Sequence, residues 1–321
     1  MSQSIEKNRN VFSFNNGLYV TMIKDDDHGY VDEWIPYIDA ANMISLPHAS
    51  KRMRSELTSC NCFPFDFDIS TRPRPNEPNY SYNNWFNIIV DKCPTFKFLM
   101  DNQKWSMDVQ RWLCIMIGRC LHNVNDLDSW QVVPFLLGPA GTGKSTILSS
   151  IVKRFYKRGD VGIMSNNIDK RFDRGLSEIS NKFLFIAPEI QGNFNLPYEE
   201  FQCIVSGETI MVNAIQARGV IWNVPGMLAG NEIPKYLNKS ASIESGNGFE
   251  ISRRLVVFRL DEKVKIASGW NFSKILEEEI GHILHACNRG YLEAANLYGH
   301  CGDIWEVVPR DLVNWRHEKP A

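Results

Sequence analysis

The chain has 321 residues, a length that suits about two domains, and its 35 Lys and Arg against 37 Asp and Glu leave a formal charge of −2. A hydrophobic share of 44% with 22% charged residues is that of a globular protein and excludes a disordered or collagen-like chain. The absence of any apolar run of roughly 18 residues, and the polar stretch Met1 to Asn10, predict a soluble intracellular protein with no membrane partner.

The 8 Cys form no C-x-x-C pair and read as small buried apolar residues of a reducing compartment. With a charge near zero, any nucleic acid must be held by a few placed cations rather than by bulk attraction.

Residues 1–70 are poorly defined by pattern. Asp25-Asp26-Asp27 and Lys51-Arg52-Met53-Arg54 read as solvated surface. Residues 71–84, with Pro73, Pro75 and Pro78, read as a linker. A helical subdomain over 85–128 follows. There Val109, Trp112, Leu113, Met116, Ile117, Cys120 and Leu121 recur at helical spacing, with Ser106 available as N-cap.

Within 129–265 short apolar runs alternate with helical stretches: Val132 to Leu137, Val161 to Met164, Phe183 to Ala187, Met227 to Ala229 and Leu255 to Leu260. That pattern predicts an α/β fold with a mostly parallel central sheet flanked by helices. Residues 266–321 are a C-terminal helical segment and tail, the helix marked by Leu276, Ile280, Ile283, Leu284, Cys287 and Tyr291. His282, His285 and Cys287 share that helix without a second ligand pair, and no metal site is assigned to them.

The run Gly138-Pro139-Ala140-Gly141-Thr142-Gly143-Lys144-Ser145-Thr146 matches G-x-x-x-x-G-K-S/T in full, between an apolar strand and an amphipathic helix. Glycines let successive N–H groups face a phosphate, and the helix N-terminus adds positive potential. Lys144 is expected to reach the β- and γ-phosphates and Ser145 to ligate Mg²⁺. The implied cofactors are ATP, or another nucleoside triphosphate, and Mg²⁺.

Three later positions are candidates for the same site. Glu189 closes an apolar strand and is placed to orient an attacking water or to hold Mg²⁺; an acidic turn residue is the plainer alternative. Asn231 ends another strand, as a γ-phosphate sensor or simply a turn former. Arg253 and Arg254 precede a buried strand, either solvated or reaching a neighbouring subunit's nucleotide.

The order of these elements resembles superfamily 3 helicases, the viral AAA+ class, and within it the helicase part of poxvirus-type and other large-DNA-virus primase–helicases. The resemblance covers about residues 85–265. Gly138 to Ser145 looks like motif A, Phe183 to Glu189 like motif B, Ser206 to Trp222 like the region of motif B′, Pro225 to Pro234 like motif C, and Ser252-Arg253-Arg254 like the arginine-finger segment.

The resemblance implies Asn231 as sensor, Arg254 as first choice for the finger and Arg253 as second. It also implies a hexameric ring, DNA as substrate (single strand or fork), and a primase or polymerase as partner. A viral protein of this kind would work in host cytoplasm or nucleus. Two features depart from the family: Pro188 stands where many members carry a second acid, and the hairpin tip carries no lysine. That leaves Arg218, with Gln216, as the candidate DNA contacts.

Three readings follow: an ATP-driven DNA helicase or translocase; an ATP-gated loading or assembly module that does not unwind; and a P-loop small-molecule kinase. The kinase lacks an Arg-rich lid. A GTPase fits worse, because Asn238-Lys239-Ser240-Ala241 lacks the Asp that would read guanine.

Overall fold

Asn15 and Asn16 form a two-residue turn that folds β1 (Asn8–Phe14) back on β2 (Gly17–Asp25). The Asp25 carboxylate accepts the N–H groups of Asp27 and His28 at 3.0 and 2.9 Å, which turns the chain into β3 (Gly29–Pro36). The acidic cluster is thus a hairpin turn. β4 (Ser59–Cys62) adds alongside β1 in parallel, giving the order β3-β2-β1-β4. The first 70 residues therefore contain a sheet that apolar pattern alone did not reveal. The computed structural model describes residues 7–37, 58–67, 85–166, 174–192, 194, 196–212, 218–234, 253–265, 271–301 and 303–317. The linker at 71–84 and the basic run at 51–54 lie outside them.

Three helices follow: α1 (Trp85–Lys92), α2 (Pro94–Asn102) and α3 (Met107–Arg119). Ser106 caps α3, its hydroxyl accepting the Val109 N–H at 3.4 Å. β5 (Val133–Leu137) then enters the glycine-rich loop, and the chain leaves it through a π-helical stretch, Thr146–Ile151, and a 3-10 turn, Val152–Phe155. The remaining elements are β6 (Val161–Ile163), α4 (Arg174–Ile179), β7 (Leu184–Ile190), α5 (Tyr198–Ser206), the hairpin β8 (Thr209–Val212) and β9 (Arg218–Ile221), β10 (Gly226–Gly230), β11 (Leu255–Arg259), α6 (Phe272–Tyr298) and α7 (Arg310–His317).

β5, β6, β7, β10 and β11 form one parallel sheet in the order β11-β5-β10-β7-β6. Both faces are covered, which is why its strands are continuous apolar runs rather than alternating ones. Leu136, Ile186, Met227, Val256 and Phe258 face a core shared with α3, α6 and the stretch after the loop. Phe135, Phe185, Leu228 and Val257 face the opposite layer, which contains α4, α5 and Trp222. The first core also takes Phe12, Phe14, Tyr19 and Trp34 from the N-terminal sheet, so one core joins that sheet, α6 and one face of the parallel sheet. Among the described residues, no helix is long and apolar enough to cross a membrane.

Candidate nucleotide-binding site

Parallel strands bring their carboxyl ends to one edge, and ligands settle where the strand order reverses. β5 continues from there into the loop. Gly138 leaves that strand between two neighbours: its N–H donates to Gly230 O at 3.2 Å, and a Cβ there would lie 2.0 Å from Leu260 O. Only glycine fits so close an approach. Gly141 and Gly143 take φ values of +84° and +97°, the left-handed region that the turn requires. Thr142 donates its hydroxyl to Pro139 O at 2.9 Å, and the first helical bond runs from Ile147 N–H to Gly143 O at 3.0 Å.

The Lys144 ammonium donates to the carbonyls of Gly138 and Pro139, the latter at 2.6 Å. Partial burial lowers its pKa, and the nearby Glu189 carboxylate pulls the other way. Glu189 and Asn231 are exposed at the ends of β7 and β10. A cavity of about 440 Å³ unites them with the loop. Gly141 to Thr146 line one side, Pro188, Glu189, Gly230 and Asn231 another, and Leu99, Val264 and Phe272 supply an apolar wall.

Sequence reasoning missed that wall, and it missed two braces behind the site. Asn166 donates to Glu189 O at 2.7 Å and accepts the Gln191 N–H at 2.9 Å, fixing the strand end on which Glu189 stands. Glu232 accepts the Gly192 N–H at 2.8 Å and ties the end of β10 to that of β7. An Asn and a Glu after strands carry no motif, and only the strand order makes them neighbours.

The two arginines lie elsewhere. β11 pairs with β5 in register Leu255 to Val133 and Arg259 to Leu137, so Arg253 and Arg254 stand at the amino end of the sheet. Five residues at about 3.3 Å each separate them from their own loop, beyond a guanidinium's reach. Arg254 is only 2% exposed and donates to the Ser206 hydroxyl at 2.9 Å, at the end of α5. Arg253 is exposed, and its carbonyl accepts the Trp305 indole N–H at 3.0 Å. In this chain Arg254 is therefore closed off by burial, while Arg253 is exposed.

β8 and β9 form the expected antiparallel hairpin, with Met211 opposite Gly219. Arg218 begins β9, while Gln216 lies outside the described residues. His285 is fully buried, its Nε2 lying 3.2 Å from the Asp32 carboxylate, so it serves the packing of α6 on β3.

The Ser145 hydroxyl and the Glu189 carboxylate line the same cavity, and oxygen donors of this kind suit Mg²⁺ together with phosphate oxygens. A parallel sheet of this order, covered by helices on both faces and carrying a G-x-x-x-x-G-K-S loop at its carboxyl edge, is a P-loop NTPase fold.

No protein-family model and no curated protein matches the chain. Among solved structures, the A form apo structure of the NrS-1 C-terminal region is similar at 14% identity and a TM-score of 0.46, over 96% of this chain and 72% of that one. An apo structure of the NrS-1 C-terminal region (305–718) is similar at 14% identity and a TM-score of 0.38, over 95% and 68%. JCV helicase with a bound thiazolopyridine acetamide is similar at 15% identity and a TM-score of 0.27, over 72% and 67%.

Proposed function

We propose that the chain is an ATP-dependent DNA helicase or translocase of the superfamily 3 type, acting as a ring in viral or mobile-element DNA replication. The observation that carries this reading is the single cavity in which the phosphate loop of β5, Glu189 of β7 and Asn231 of β10 meet. The motif order from Gly138 to Arg254 supplies the remainder.

In this reading the loop amides and Lys144 bind the triphosphate. On arrival of a phosphate, the ammonium exchanges the carbonyls of Gly138 and Pro139 for phosphate oxygens. Glu189 orients the attacking water, and Asn231 hydrogen-bonds the γ-phosphate. Ser145 and Glu189 would hold Mg²⁺, which neutralises charge on the phosphate oxygens when bound. Arg253 is too far from its own loop, so it serves the site of the adjoining subunit, stabilising charge in the transition state. The hairpin β8–β9, through Arg218 and Gln216, grips the DNA backbone. Such a contact is independent of base sequence and weakens with salt.

The test is strand displacement on a forked duplex with ATP and Mg²⁺. Release of the strand by the wild type, lost in Arg253→Ala and kept in Arg254→Lys, is expected. Binding of the fork with no strand released would make the chain a loading or assembly module. Nucleotide turnover indifferent to single-stranded DNA would turn the reading toward a small-molecule kinase.

A further inference from the structure

Gln103 closes α2, far from the phosphate loop in sequence, and touches it in space. Its side-chain nitrogen donates to Thr142 O at 3.2 Å and to Glu262 O at 2.8 Å, while its oxygen accepts the Glu262 N–H at 3.0 Å. These three partners admit a single orientation of the amide. Two residues beyond Glu262, the Val264 N–H donates to Gly141 O at 2.9 Å. The carbonyls of Gly141 and Thr142 are thereby anchored from outside the loop.

A trans peptide is planar, with C=O and N–H pointing in opposite directions. Anchoring those two carbonyls turns the N–H groups of Thr142 and Gly143 the other way, and both residues line the cavity. Gly141 and Gly143 are both at positive φ, and nothing lies within 4 Å of a Cβ placed on Gly141, so side-chain packing does not fix that residue. Gln103 is 7% exposed, so water does not replace a bond it loses.

We infer that Gln103 is a positioning residue for the triphosphate, holding two peptide planes of the loop with their N–H groups facing the phosphates before any ligand arrives. The inference rests on the nucleotide-binding part of the proposed function and not on DNA unwinding. It assigns Gln103 no contact with reacting atoms. What it sets is the affinity of the phosphate cradle.

The experiment titrates inorganic tripolyphosphate, and separately MgATP, into the full chain and into Gln103→Met and Gln103→Glu. Met keeps the length and loses all three bonds. Glu keeps the acceptor for the Glu262 N–H and loses the donors, and it carries the test if Gln103→Met does not fold. A Kd about tenfold weaker for both ligands is expected, with kcat at saturating ATP retained. A lower melting temperature with unchanged Kd in the folded protein would show a structural role only and overturn the inference. A loss confined to MgATP would place the effect at the apolar wall and overturn it too. A wild-type chain that binds neither ligand would overturn the nucleotide reading itself, and this inference with it.

Discussion

The contacts of α6 with the N-terminal sheet and with α3 are crowded with buried polar side chains, whereas β5 and β10, at the centre of the parallel sheet, carry none. Asn288 of α6 donates to the Tyr19 hydroxyl and to Thr21 O, both at 2.8 Å, and accepts from His122 Nε2 at 2.8 Å. Arg119 grips Asp128 through two bonds of 2.7 and 2.9 Å, and Tyr291 donates to the same carboxylate at 2.5 Å. Polar groups satisfied inside the protein specify how its layers dock. At the carboxyl edge of the parallel sheet Glu189 and Asn231 stand exposed at strand ends instead, where a ligand can meet them. Changes in the first region should therefore move stability and spare chemistry, and changes in the second should do the reverse.

The largest effect is expected in the second region. Glu189→Gln should lower kcat for ATP by about 10²–10⁴-fold, with the Kd for metal-free nucleotide and the melting temperature unchanged because the side chain is exposed. Single-turnover hydrolysis beside a nucleotide titration checks it. Arg119→Ala should cost about 3–5 kcal/mol in denaturant unfolding, since it strands a buried Asp128. Replacing both partners, Arg119→Met with Asp128→Leu, should recover much of that loss. If either change shifted the Kd for nucleotide by as much as it shifted stability, the division between the two regions would fail.

His122 offers a subtler separation. Burial pushes its pKa down to about 4, the nearby Arg9 adds to this, and Asn288 and Asp128 act against it. The unfolded chain takes up that proton at higher pH, so stability falls as pH drops from about 6.5 to about 4, by about 3 kcal/mol in all. Glu293, raised to about 7 by burial, works in the opposite sense, because its ionisation weakens the fold as pH rises from about 4.5 to about 7. The difference between wild type and His122→Gln isolates the histidine: the variant keeps a donor for Asn288 and should lose this part of the acid limb. The smallest effect is expected for Ser106→Ala, about 1 kcal/mol from loss of the α3 cap.

How much of this was visible in the residues follows from range. β5, β7, β10 and β11 announce themselves because a strand covered on both faces is apolar along its run. The loop from Gly138 to Thr146 announces itself because phosphate binding dictates residue types at fixed spacing. The N-terminal sheet does not: β1 opens on three polar residues and keeps no regular alternation over its seven positions, and its clearest sign is the turn Asn15-Asn16 before Gly17. Gln103 is silent in sequence because its partners lie 39 and 159 residues away. The different surroundings of Arg253 and Arg254 depend on Ser206, which α5 brings to the amino end of β11. Adjacent residues of like chemistry are told apart only by what folds over them.

Hydrolysis of ATP with Mg²⁺, measured with and without single-stranded DNA for the wild type and Lys144→Ala, tests most directly whether the strand ends of the parallel sheet form a triphosphate motor. The expected result is turnover that DNA raises in the wild type and that falls at least about a hundredfold in the variant. Equal turnover by the two proteins, or none by the wild type in the presence of DNA, would contradict it.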